Sequence, residues 1–213
     1  MTNPFIDKLT KHRPNADWIT KKSGISHLPL DINVPVDKIL KEWSSIENLA
    51  VPHRDTDDTH GYSHTGWKSL TIYGVSSTVT TQSDKPHSWT DIADRCIQTK
   101  NWFIDTFNEI NFRGRIRFML LEPGGHIMPH KDRESSKLSE VNIAISNPKG
   151  CEFYFENKGI VDFDRNPVNM LDLSNKHWVV NNSKEPRLHM IYHGHVPSNI
   201  IERSYENLYY SKK

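Results

Sequence analysis

Two short stretches of this 213-residue chain carry side chains able to bind a metal and an anion. Residues 120–132 read Leu-Leu-Glu-Pro-Gly-Gly-His-Ile-Met-Pro-His-Lys-Asp and end in a His-x-Asp pair, His130 and Asp132. Residues 177–187 read His-Trp-Val-Val-Asn-Asn-Ser-Lys-Glu-Pro-Arg, opening on His177 and closing on Arg187. Two imidazoles and one carboxylate are the ligand set of a non-haem Fe(II) site that keeps coordination positions open. A planar guanidinium grips a carboxylate through two parallel hydrogen bonds. The chemistry these residues point to is an iron centre with an oxo-acid bound beside it.

Spacing decides whether the groups can meet. On an extended segment residues i and i+2 project to one face, so His130 and Asp132 can converge on one ion. Pro129 favours an extended approach, and Pro123-Gly124-Gly125 offers a turn that brings the segment to a barrel mouth. His-x-Asp alone is a weak signal. It gains weight because it follows a strand and because His177 opens another strand about 45 residues later. A tight connection over Val179–Ser183 would run Arg187 back beside His177. The neighbours Leu188, Met190 and Ile191 are apolar, and a charge among them needs a partner. Other histidines compete. His126 points into the same turn region, while His189, His193 and His195 alternate along the last strand. His189 is expected to line the barrel beside Arg187 as a cosubstrate or substrate contact; His193 and His195 are expected as strand-end residues.

The elements that must position these groups lie mostly after Phe112. Short strands are predicted over Arg115–Leu121, Glu140–Ser146, Cys151–Glu156, Gly159–Asp164, Asn169–Leu173, Trp178–Asn181 and Arg187–His193. Asn147-Pro148-Lys149-Gly150 and Asn157-Lys158-Gly159 are turn sequences. Such a series implies an antiparallel sandwich or barrel. Before it, Pro35–Leu49 reads as a helix with Val36, Ile39, Leu40 and Trp43 on one face and Pro35 at its first position. Trp67–Val75 reads as a strand. Trp89–Ile110 reads as the strongest helix, capped by Ser88 or Thr90. Val51–Gly66 is a polar loop whose His53, Arg54, His60 and His64 make it a candidate substrate lid. Residues 1–30 read as an irregular arm, and Ile200–Lys213 as a tail that packs as a last helical turn or stays mobile.

Composition narrows the class. Length suits one domain over 1–213: a helix-and-strand support region at 1–110, a β core at 112–196 and a tail at 197–213. A formal net charge of +1 gives no global argument for nucleic acid or an anionic membrane. No run of about 18 apolar residues suggests a membrane span. Cys96 and Cys151 form no CxxC pair, and a reducing, cytoplasmic setting is expected.

Residues 115–195 resemble the aspartyl/asparaginyl β-hydroxylase-like family of Fe(II)- and 2-oxoglutarate-dependent oxygenases, which includes bacterial proline hydroxylases. Arg117-Phe118-Met119-Leu120-Leu121-Glu122-Pro123-Gly124-Gly125-His126-Ile127 is similar to that family's strand leading into the metal motif. His130-Lys131-Asp132 matches its His-x-Asp, and His177 with Asn181, Ser183 and Arg187 resembles its distal His and cosubstrate arginine. Gly66–Leu70 and Trp89–Phe107 resemble its N-terminal part more loosely. The resemblance implies a mainly β fold with flanking helices around a double-stranded β-helix (a jelly-roll, cupin-like core). It implies His130, Asp132 and His177 as iron ligands, Arg187 on the distal carboxylate of 2-oxoglutarate, O2 as the second cosubstrate, and stimulation by ascorbate. Asn142 stands where the family often has a cosubstrate-touching His, and Glu140 where an Arg is common. The expected activity is hydroxylation of an amino acid, peptide side chain or small metabolite. Two other readings are a cupin-like metalloenzyme that does not use 2-oxoglutarate and a jelly-roll binding module with structural His and Asp residues. Arg187 separates the first from the cupin reading, and metal content separates the binding module from both.

Overall fold

The computed structural model describes residues 24–54, 63–80, 85–108 and 114–210. Most of the expected N-terminal arm and the middle of the Val51–Gly66 lid, including His60, lie outside the described residues. Strands β1 (His27–Pro29), β2 (Val51–Pro52), β3 (His64–Gly74), β4 (Ser88–Trp89), β5 (Arg115–His130), β6 (Glu140–Ser146), β7 (Cys151–Phe155), β8 (Gly159–Ile160), β9 (Val168–Leu171), β10 (His177–Asn181) and β11 (Arg187–His193) accompany helices α1 (Val36–Trp43), α2 (Ile97–Phe107) and α3 (Ser198–Tyr210). Among the described residues the strands form one curled antiparallel sheet in the order β1-β9-β6-β11-β5-β10-β7-β8, with β3 also on β5.

One strand makes the curl. The first half of β5 pairs with β11 from Arg115 to Leu121, and its second half pairs with β10 from His126 to His130. The expected turn at Pro123-Gly124-Gly125 is therefore a bend within a single long strand. Gly124 takes a left-handed φ of +72° there. A Cβ on Gly125 would lie 2.8 Å from the carbonyl oxygens of Glu122 and Thr65, so only glycine lets the two backbones approach this closely. The result is a double-stranded β-helix with two apolar layers. Outside, α1, α2 and α3 cover one face through Trp43, Phe103, Phe107 and Tyr205 packed with Phe118 and Tyr192. Inside, Leu121, Ile127, Phe153, Phe155, Phe163 and Val179 form the second layer.

The helices differ from their sequence patterns at their ends. The Pro35–Leu49 helix stops at Trp43 and a separate tight turn covers Glu47–Leu49, with Pro35 preceding the helix rather than opening it. The Trp89–Ile110 helix is split into a short 3-10 segment, Asp91–Arg95, and α2. Neither Ser88 nor Thr90 caps it: Ser88 lies in β4, and Thr90 Oγ1 donates to the Thr71 carbonyl at 2.8 Å. The cap comes from α1, where the Glu42 carboxylate accepts from Gln98 N (2.7 Å), Thr99 N (3.0 Å) and Thr99 Oγ1 (2.6 Å). That carboxylate satisfies amides that α2 cannot bond internally. The described part of the tail forms α3, which packs Ile200, Ile201 and Tyr205 into the outer layer. Among the described residues no helix is long and apolar enough to cross a membrane.

Candidate active site

His130 ends β5, His177 opens β10, and the two residues are register partners across the ladder. Their rings lie 4.3 Å apart, centroid to centroid. Asp132 sits just past the strand end, where its amide donates to the Leu173 carbonyl at 3.0 Å and holds the turn. Ligand atoms of His130, Asp132 and His177 all lie within 4.8 Å of one another. Each imidazole is oriented by the same device. Nδ1 of His130 donates to the Met128 carbonyl at 2.7 Å, and Nδ1 of His177 donates to the Asn175 carbonyl at 2.9 Å. A carbonyl accepts only from a protonated nitrogen, so Nε2 of each ring carries the lone pair that faces the cluster. His130 Nε2 is 3.4 Å from Asp132 Oδ1.

The electrostatics suit a cation. Burial pushes the His177 pKa down to about 4, with His130 adding to the fall, so its ring is neutral at pH 7 and its Nε2 lone pair is available to a metal. Loss of solvation alone would raise the Asp132 pKa, but its neighbours His130 and His177 and the Arg54 guanidinium outweigh it and leave the pKa below its usual value. Phe153 stacks on His177 at 5.4 Å and fixes the ring plane. These donors fit a divalent iron, the ion for which two neutral imidazoles and one carboxylate are suited.

A cavity of about 480 Å³ opens beside the triad and runs to Arg187 and Asn142. Arg187 is only 3 % exposed, and burial lowers its pKa to about 10. Among the described residues no carboxylate pairs with it; the Cys151 thiol and the Phe163 ring face, 5.9 Å away, are its counterparts. Arg187 Nη2 lies 2.8 Å from His189 Nδ1, and the Asn142 side-chain amide approaches the same nitrogen at 2.6 Å, so the three side chains form one buried network. His189 is fully buried, edge-on to Phe163, and held neutral by burial and by Arg187. It therefore stands behind Arg187 rather than on the cavity wall, whereas Asn142 is on the wall. A buried guanidinium fixed on one side and facing a cavity is suited to the far carboxylate of a diacid.

Several wall residues were not singled out by the sequence. His193, expected as a strand-end residue, lines the cavity and accepts from Arg117 Nη2 at 3.2 Å. Arg115, Arg117 and Arg133 line it too. Their signal was the alternation Arg115-x-Arg117 against Ile116 and Phe118, which on a strand puts both arginines on the face opposite the helical layer. His53 is 1 % exposed, shares a 2.9 Å hydrogen bond with Ser69 and packs 4.1 Å from Trp67. His126 and His195 do not line the cavity.

Comparison with known proteins agrees with this geometry. The profile of the Aspartyl/Asparaginyl beta-hydroxylase family matches residues 35–197. No curated protein matches the chain. A Trichoplax adhaerens prolyl hydroxylase, solved with a hypoxia-inducible-factor peptide, shares the fold at 10 % identity and a TM-score of 0.50, over 91 % of this chain and 94 % of that one. A 2OG-Fe(II) oxygenase family oxidoreductase from Burkholderia pseudomallei aligns at 17 % identity, over 84 % of this chain and 90 % of that one, with a TM-score of 0.47. A Pseudomonas putida prolyl-4-hydroxylase aligns at 12 % identity, over 86 % of this chain and 100 % of that one, with a TM-score of 0.43. With a profile match over most of its length and a His-x-Asp…His cluster at the mouth of its β-helix, the chain belongs to the aspartyl/asparaginyl β-hydroxylase family of 2-oxoglutarate-dependent hydroxylases.

Proposed function

We propose that the protein hydroxylates a C–H bond of an amino acid, a peptide side chain or a small metabolite. His130, Asp132 and His177 hold Fe(II), and Arg187 holds the distal carboxylate of 2-oxoglutarate. When bound, iron, 2-oxoglutarate and O2 supply the oxidising power, and the cosubstrate leaves as succinate and CO2. The chain's own residues bind and orient. The Met128 and Asn175 carbonyls aim the two imidazoles. Asn142, on the same cavity wall as Arg187, offers an amide to the cosubstrate. Ile127, Phe153, Leu171, Leu173 and Val179 line the cavity with apolar surface that excludes water from the reacting groups.

The observation that carries the reading is Arg187: a buried cation without a carboxylate partner among the described residues, on the wall of the cavity that also holds the triad. It also favours an oxo-diacid enzyme over a cupin-like metalloenzyme, which has no use for a buried guanidinium there. The test is succinate release from 2-oxoglutarate with Fe(II) and ascorbate, screened across amino acids, peptides and metabolites. Iron-dependent succinate formation stimulated by one substrate class is expected. Iron binding without any 2-oxoglutarate binding would favour the cupin-like reading.

A further inference from the structure

Regular strand pairing places only part of the triad. His130 and His177 are register partners in the ladder, but Asp132 lies past the end of β5, in the segment 131–139 that leads to β6. The carbonyl that orients His177 is also outside the ladder. It belongs to Asn175, in the turn 172–176 between β9 and β10. Two irregular segments must therefore be held against each other for the three ligands to converge.

Asp172 lies between them and is 2 % exposed. Toward the Asp132 segment, its Oδ2 accepts from Ser136 Oγ at 2.6 Å and its Oδ1 from Lys137 N at 3.1 Å. Toward the His177 turn, Oδ1 accepts from Ser174 N at 3.1 Å and from Ser174 Oγ at 2.7 Å. The Asp172 carbonyl accepts from Asn175 N at 3.2 Å and from Asn175 Nδ2 at 3.0 Å. One residue thus fixes both the backbone and the side chain of the residue whose carbonyl aims His177. Its own amide donates to the Ser26 carbonyl at 2.8 Å, which anchors the assembly to the chain before β1.

The flanking residues continue the seam. Ser139 N donates to the Leu171 carbonyl at 3.2 Å, and Asp132 N to the Leu173 carbonyl at 3.0 Å. Leu171 and Leu173 line the cavity and Asp172 does not, so Asp172 acts through other residues rather than on a bound group. Burial alone would raise its pKa, but the Ser136 and Ser174 hydroxyls and the Lys137 and Ser174 amides bring it below the usual value. The ionised carboxylate makes each of these hydrogen bonds stronger than a neutral acceptor would.

On the reading of His130, Asp132 and His177 as metal ligands, we propose that Asp172 is a positioning residue of the metal site. Its carboxylate and carbonyl clamp the Asp132 segment to the turn that aims His177, and so set the geometry of both ligands. This role needs the metal site alone and does not depend on 2-oxoglutarate. Without the clamp, Asp132 loses its fixed approach and the Asn175 carbonyl no longer holds Nδ1 of His177, the contact that sets the ring's tautomer and direction.

The test reads the metal rather than turnover. Co(II), whose visible absorption responds to ligand geometry, is titrated into the full-length wild type and variants. Asp172→Ala should bind Co(II) about tenfold or more weakly, the scale for losing an outer partner of a metal ligand, and its bound ion should show a changed spectrum. Asp172→Asn should recover most of both, because the amide oxygen still accepts from Lys137 and Ser174 while Ser136 Oγ turns to accept from the amide. Glu42→Gln loosens the cap of α2, away from the site, and should lower the unfolding midpoint while leaving Co(II) affinity and spectrum unchanged. An equal loss of Co(II) in Glu42→Gln would assign the effect to destabilisation and overturn the proposal. Where Asp172→Ala does not fold, the double variant Ser136→Ala/Ser174→Ala keeps the buried carboxylate, removes its two hydroxyl links and should weaken Co(II) binding in the same direction. Wild-type affinity and spectrum in folded Asp172→Ala, or in the double variant used in its place, overturns the proposal. Failure of the wild type to bind Co(II) is a separate result and overturns the metal-site reading beneath it.

Discussion

At the scale of residues, the site is a set of side chains held by neighbours that take no part in the chemistry. Arg187 is the clearest case, propped from behind by His189 and Phe163 so that its outer edge meets the cavity. Arg187→Ala should weaken 2-oxoglutarate binding by about 2–5 kcal/mol, the scale for losing one side of a desolvated charge pair. Arg187→Lys should recover only part of it. A titration of 2-oxoglutarate into the metal-loaded variants checks both, and unchanged affinity in the Ala variant would remove the arginine from the account. The meeting of His130, Asp132 and His177, and the place of Arg187 on the same cavity wall, were legible in the sequence because metal and anion chemistry restricts residue type and spacing. Arg117 and His193 were not. A single arginine in a strand is indistinguishable from a surface cation until the opposite strand shows which face is inside.

At the scale of elements, the bend in β5 does most of the positioning. It lets one strand serve both halves of the β-helix and delivers His130 opposite His177. Asn181 secures it: Nδ2 donates to the carbonyls of Leu121 (3.0 Å), Glu122 (3.2 Å) and Glu185 (2.9 Å), while Oδ1 accepts from Ser183 N and Oγ. The residue is fully buried, so Asn181→Ala leaves several carbonyls without a donor and should cost roughly 2–4 kcal/mol. Gly125→Ala places a methyl against two backbone oxygens and should cost about 1–3 kcal/mol. Denaturant unfolding measures both, and wild-type midpoints would show that the bend tolerates change. Strand content was readable from alternation and turn residues. The bend was not, because Pro-Gly-Gly reads as a chain reversal when its partner strands are unknown. The true start of α2 was hidden for a similar reason: its cap is Glu42, more than fifty residues earlier in the chain.

At the scale of the whole molecule, the buried histidines make stability depend on acid. Burial lowers His53, His177, His189 and His193 below their usual values, and nearby arginines add to the effect at His53, His189 and His193. The unfolded chain takes up protons on these rings as pH falls below about 6.5, whereas the fold resists. Their contribution is thus fully present above about pH 6.5 and lost as pH falls. For His177, whose folded value is about 4, the loss approaches about 3 kcal/mol by pH 4 in the metal-free protein. Unfolding free energies measured between pH 7.5 and 4 should fall steeply through that window; a flat profile would mean the rings are not held neutral. The jelly-roll class was legible from the run of short strands together with the family resemblance. The make-up of the cavity wall was not, since a net charge of +1 over the chain does not show that Arg115, Arg117 and Arg133 share it. The account as a whole stands on the triad, and its most direct test is anaerobic Fe(II) binding to wild type, His130→Ala and His177→Ala. One iron per wild-type chain and loss of stoichiometric binding in both variants is the predicted result; wild-type occupancy in both variants would contradict it.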